Sequence, residues 1–129
     1  MIDWRTMLVV LVGGGIGSVC RYIFGVAFVQ RFGAGFPYGT LAINLLGCLL
    51  IGIISELAIT RSVFSTQLVR SFLVIGVLGG FTTFSTFAYD AVTLGSEAEI
   101  TPALIYICIS VVGGIIAAFM GIALVRSAA

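Results

Sequence analysis

The stretch Gly76-Val77-Leu78-Gly79-Gly80-Phe81-Thr82-Thr83-Phe84-Ser85-Thr86-Phe87 decides the fold. It sits inside an apolar run, Leu68–Val92, long enough to cross a bilayer. Three glycines near its middle weaken a helix, and Thr and Ser follow at once to bond freed backbone groups. The reading is a helix broken at mid-membrane. Such a break exposes carbonyls at the end of its first half and amide N–H groups at the start of its second. Carbonyls suit a cation and N–H groups an anion.

Three more apolar segments flank this one, about Met7–Val29, Tyr38–Ile59 and Pro102–Val125. Each is near or above the ~20 residues a spanning helix needs. The linkers Gln30–Pro37, Thr60–Gln67 and Thr93–Thr101 are short, and nothing remains for a soluble domain. Thr101 is expected to cap the fourth helix, with Pro102 in its first turn. No signal peptide is expected, because the first apolar run is too long and lacks the flanking pattern.

Composition agrees. Of 129 residues 60% are hydrophobic and 9% charged, with a mean hydropathy of +1.27. An ordinary soluble domain carries roughly 25% charge, and a chain of this size has too little polar surface to cover so much apolar material. The expected class is an all-α membrane protein with four transmembrane helices. A net charge of +1 leaves no basic face, so no nucleic-acid partner is expected. No His is present, and Cys20, Cys48 and Cys108 lie in separate apolar runs. They read as small packing residues, and a transition-metal site is not expected.

With four spans both termini share a side. Arg5, Arg61, Arg70 and Arg126 fall there; Arg31, Glu97 and Glu99 fall opposite. The positive-inside rule then leans towards cytoplasmic termini. The acids Asp3, Glu56, Asp90, Glu97 and Glu99 all lie near segment ends. None stands at a bilayer centre, where a cation-coupled carrier wants one. A small multidrug exporter, which needs an acid in its first helix, meets Arg21 instead. An enzyme lacks any base in the membrane. A silent subunit of a larger complex stays open.

Some polar residues inside the spans read two ways. Arg21 either raises the positive potential at an anion path or binds carbonyls or an acid. Asn44 shares a helical face with Thr40, Gly47 and Cys48. Its amide either receives an anion or ties two helices. Phe81 and Phe84, at i and i+3, fall on one face as ion-guiding ring edges or as plain packing. Thr82, Thr83 and Ser85 can supply hydroxyl donors beside the rings, and Tyr106 and Ser110, at i and i+4, add two more on a face with Gly113 and Gly114. The small-residue stripes Gly113, Ala117, Gly121 and Ser110, Gly114, Ala118 allow close helix approach, within one subunit or between two. The inventory of neutral donors suits an anion better than a cation.

Taken in order, three motifs resemble the CrcB/Fluc fluoride channel family across essentially the whole chain. They are Gly13-Gly14-x-x-Gly17-x-x-x-Arg21-Tyr22, Gly39-Thr40-Leu41-x-x-Asn44-x-x-Gly47, and Gly79-Gly80-Phe81-Thr82-Thr83-Phe84-Ser85-Thr86-Phe87. The resemblance implies a passive fluoride channel of the bacterial inner membrane that confers fluoride resistance. It implies an antiparallel, dual-topology homodimer with two pores. It places Phe81, Phe84 and Asn44 in the pore, with Thr40, Thr83, Tyr106 and Ser110 as a polar track and Arg21 at the vestibule. It further implies a structural Na⁺ at the dimer interface, held by the Gly76 and Gly79 carbonyls.

Overall fold

A computed structural model describes residues 3–96 and 100–128. Glu97 and Glu99, assigned above to the last linker, lie outside the described residues. Helix α1 spans Trp4–Phe32 and opens on Asp3, whose carboxylate accepts from the N–H groups of Arg5 and Thr6, both at 3.3 Å. Gly33 ends it at φ 80, with its N–H on the Val29 carbonyl. Helix α2 spans Tyr38–Thr60 and begins after Pro37. Two short turns follow, α3 at Ser62–Ser65 and α4 at Gln67–Arg70. The chain then runs as a π-helical stretch, Ser71–Leu78, and a last turn, α5, at Gly79–Phe81. Helices α6, Phe84–Ser96, and α7, Thr101–Ser127, complete the fold. Among the described residues, four helical segments are long and apolar enough to cross a membrane: Trp4–Phe32, Tyr38–Thr60, Gln67–Ser96 and Thr101–Ser127.

The expected cap of α7 is corrected. Thr101 lies inside the helix; Ile100 holds the cap position and no side chain bonds there. Pro102 does occupy the first turn, where its missing N–H costs nothing.

Glycine sets the packing of the first and third spans. A Cβ on Gly13 would stand 2.6 Å from the Phe72 carbonyl oxygen, and one on Gly17 would overlap the Val77 oxygen. From the other side, Gly76 meets Gly13 and Gly80 meets the Gly14 carbonyl. The two backbones touch directly because neither carries a side chain at the crossing. Helices α2 and α7 repeat the device. Gly52 meets the Ala118 carbonyl, and Gly121 meets the Leu49 carbonyl and the Ile53 N–H. Gly114 and Gly121 thus pack within the chain, against Cys48 and Leu49 of α2.

The interruption after Phe81 redirects the third span. The π-helical stretch and α5 lie on α1, whereas α6 lies on α7. At the ends of α2 and α7, buried Glu56 receives both Nε (3.0 Å) and Nη2 (3.3 Å) of Arg126. Fully or nearly buried side chains are few: Ile43, Leu78, Phe81, Ala103 and Tyr106 form the apolar core. Much of the remaining apolar surface faces outward, as a lipid-bathed chain requires.

Candidate functional site

The site grows from two residues that leave the helix. Thr82 has φ −84 and ψ 160, an extended conformation, and α6 starts only at Phe84. Thr82 stays tied to the turn before it, since both its N–H and its hydroxyl donate to the Leu78 carbonyl at 2.9 Å. Gly47 of α2 leaves the room that the Thr82 methyl enters.

Neighbouring helices satisfy the backbone groups this interruption frees. Asn44 uses both ends of its amide on one residue: Nδ2 donates to the Thr83 carbonyl at 3.0 Å, and Oδ1 accepts from the Thr83 N–H at 2.9 Å. Arg21 donates from Nη1 to the Thr82 carbonyl at 3.3 Å. A guanidinium there neutralises the negative end of the preceding half-helix. The open pair of readings for Arg21 thus includes a contact the structure displays, a carbonyl bond. The Thr83 hydroxyl caps α6, accepting from the Thr86 N–H at 3.2 Å and donating to the Thr86 hydroxyl at 3.0 Å.

Beside this knot lies a cavity of about 400 Å³, lined in part by Asn44, Thr82, Thr83, Phe84, Phe87 and Ser110. Phe84 is 78% exposed. The Ser110 hydroxyl is buried and makes no hydrogen bond. A buried, unused hydroxyl is costly unless something else takes its proton. Cys48 also reaches the cavity; among the described residues no carboxylate or guanidinium lines it.

The other expected residues fall elsewhere. Phe81 is buried, with its ring perpendicular to Phe24 at 5.7 Å, and does not line the cavity. The i, i+3 spacing had put it on one face with Phe84, but the extended Thr82 breaks the helical phase between them. Tyr106 is fully buried one ring behind the cavity, with Phe87 at 5.4 Å. Its hydroxyl donates to Asp90 at 3.3 Å. Spacing alone did not single out Phe87 or Asp90. The run Phe84-x-x-Phe87-x-x-Asp90 carries the missed signal, since these three recur along one strip of α6.

Gly76 and Gly79 lie at the end of the first half of the third span. The Thr83 N–H, which an uninterrupted helix would give to the Gly79 carbonyl, goes to Asn44 instead. The Gly79 oxygen is thereby left with acceptor capacity, which suits a hard cation. The Gly76 oxygen receives the Gly79 N–H.

Known proteins place this chain. The family described as CrcB-like protein, Camphor Resistance (CrcB), matches residues 8–122. A protein of Chloroflexus aurantiacus named fluoride-specific ion channel FluC is 49% identical over 122 residues, covering 95% of this chain and 96% of its own. Proteins of the same name from Agrobacterium fabrum and Rhizobium etli are 48% and 45% identical, covering 92% and 93% of this chain and 94% and 95% of their own. Identity of this order runs through all four apolar segments, so the chain is a multi-pass bacterial membrane protein and belongs to the CrcB family.

Proposed function

We propose that this protein is a fluoride channel, conducting passively and selectively, and that two copies assemble in opposite orientations with a pore in each half. The observation that carries this reading is the buried, unpartnered Ser110 hydroxyl in a cavity walled by Phe84 and Phe87. The names of the relatives supply the ion. Fluoride is small and strongly hydrated, so a pore must replace its water with donors. Here the donors are neutral. Ser110 offers its O–H, Asn44 keeps its second amide hydrogen, and the phenylalanine edges carry partial positive charge. Among the described residues no full positive charge lines the cavity to trap the ion.

Phe81 serves the path as the inner ring of the pair, with Phe84 on the cavity side. Thr40, Thr83 and Tyr106 extend the polar track beyond Ser110, and Arg21 adds positive potential at the approach. The interrupted third span is the element that turns these groups towards the ion. The broad exposure of Phe84 in a single copy is consistent with a second copy covering it. Gly76 and Gly79 of each copy would hold a structural Na⁺ between the subunits; when bound, the ion ties them electrostatically. In a cell such a channel lets accumulated fluoride leave and so confers resistance.

The test is efflux from liposomes holding the purified protein, read with a fluoride electrode. Rapid fluoride release, without chloride release and without an imposed proton gradient, is expected. No release from well-inserted protein overturns the reading.

A further inference from the structure

The segment between α1 and α2 has a built geometry. Gly33 turns the chain out of α1 at φ 80. Pro37 sits at φ −78 and ψ 56, and the Tyr38 N–H donates to the Phe36 carbonyl at 2.8 Å. These are the marks of an inverse γ-turn, and proline fixes its φ in advance. The turn clamps the Phe36 carbonyl and directs its side chain inward. There the Phe36 ring meets the Tyr106 ring at 5.7 Å and 88°, an edge-to-face pair. The segment therefore delivers an aromatic contact to Tyr106, which is fully buried among the described residues.

Tyr106 is held by three neighbours. The Phe87 ring from the cavity wall lies at 5.4 Å, the Phe36 ring lies at 5.7 Å, and the phenol donates to Asp90 at 3.3 Å. The rings Phe84, Phe87, Tyr106 and Phe36 follow one another at 5.5, 5.4 and 5.7 Å, from the cavity out to the segment joining α1 and α2. The phenol proton is committed to Asp90, so this oxygen offers lone pairs to its other neighbours.

We propose that Phe36 is a positioning residue for conduction: it seats Tyr106 beside the loop-side end of the ion path, clear of it. This rests on the channel reading. Phe36 touches the tyrosine and acts through it. Without the Phe36 ring, Tyr106 gains freedom to swing across the path.

The experiment compares fluoride efflux from liposomes holding wild type, Phe36→Leu, Phe36→Ala and Phe36→Trp, each alone and with Tyr106→Ala. Phe36→Leu keeps apolar bulk and removes the aromatic edge. It is expected to slow efflux about tenfold, the rate equivalent of one strong aromatic pair. Phe36→Trp, which restores a ring, is expected to stay within about twofold of wild type. Where Tyr106 is already Ala, Phe36→Leu is expected to add less than about twofold, as coupled sites do. A second readout needs no flux. Protein labelled with 3-fluorotyrosine gives a ¹⁹F resonance for residue 106, assigned by its loss in Tyr106→Phe, and this resonance is expected to shift in Phe36→Leu. Wild-type efflux in Phe36→Leu, additive losses with Tyr106→Ala, or an unmoved resonance overturns the proposal and leaves the channel reading standing. A wild-type protein that releases no fluoride removes both.

Discussion

Ser110 and Asn44 show how differently two neutral polar residues are employed. Asn44 spends its amide on the backbone of Thr83, both donating and accepting, whereas Ser110 keeps its hydroxyl unspent in the cavity. Replacing Asn44 by Ala leaves two backbone groups of the interruption unpaired. A loss of about 2–3 kcal/mol of stability is expected, read as earlier thermal unfolding in detergent. Ser110→Ala leaves nothing unpaired, so unfolding is expected to stay where it is. Fluoride efflux is expected to fall roughly tenfold, the kinetic equivalent of one hydrogen bond to a charged partner. A variant that unfolds early yet conducts normally would reverse these two assignments. Both residues were visible as polar positions in apolar runs, but their division of labour was not. The Asn44 partner lies 39 residues away, and only the fold brings it within 3 Å.

At the scale of elements, four long apolar segments and a weak point in the third were legible from hydropathy and glycine spacing, because a bilayer admits few alternatives. The face on which each ring lies was not legible. Periodicity assumes a continuous helix, and Thr82 steps out of it, which sends Phe81 towards Phe24 and Phe84 towards the cavity. The glycine contacts give a sharp expectation here. Gly17→Ala and Gly80→Ala each press a methyl into a facing backbone carbonyl. Each is expected to cost about 1–3 kcal/mol and to lower the unfolding temperature. Gly15→Ala on the same helix, where an added Cβ meets nothing, is expected to be neutral or slightly stabilising. Equal behaviour of Gly15 and Gly17 variants would show that the two spans do not meet backbone to backbone.

For the whole molecule, the ends of α2 and α7 are clasped by Glu56 and Arg126, and the sequence puts Arg5, Arg61 and Arg70 on the same side of the membrane. The proposed opposed orientations of two copies make a direct expectation. A cysteine placed at Ser127, in a chain otherwise free of cysteine, should react with an impermeant thiol reagent in about half of the molecules of intact spheroplasts. Labelling of all or none would mean one orientation. The composition of the cavity wall has a last consequence. It holds amide, hydroxyl, thiol and ring, and among the described residues no group there exchanges a proton near neutrality. The energy an ion meets on crossing is therefore set by fixed dipoles rather than by solution acidity. Ion current through this protein is expected to stay level between about pH 5 and 7.5, so that a cell in an acid surrounding keeps the same outlet as a cell in a neutral one.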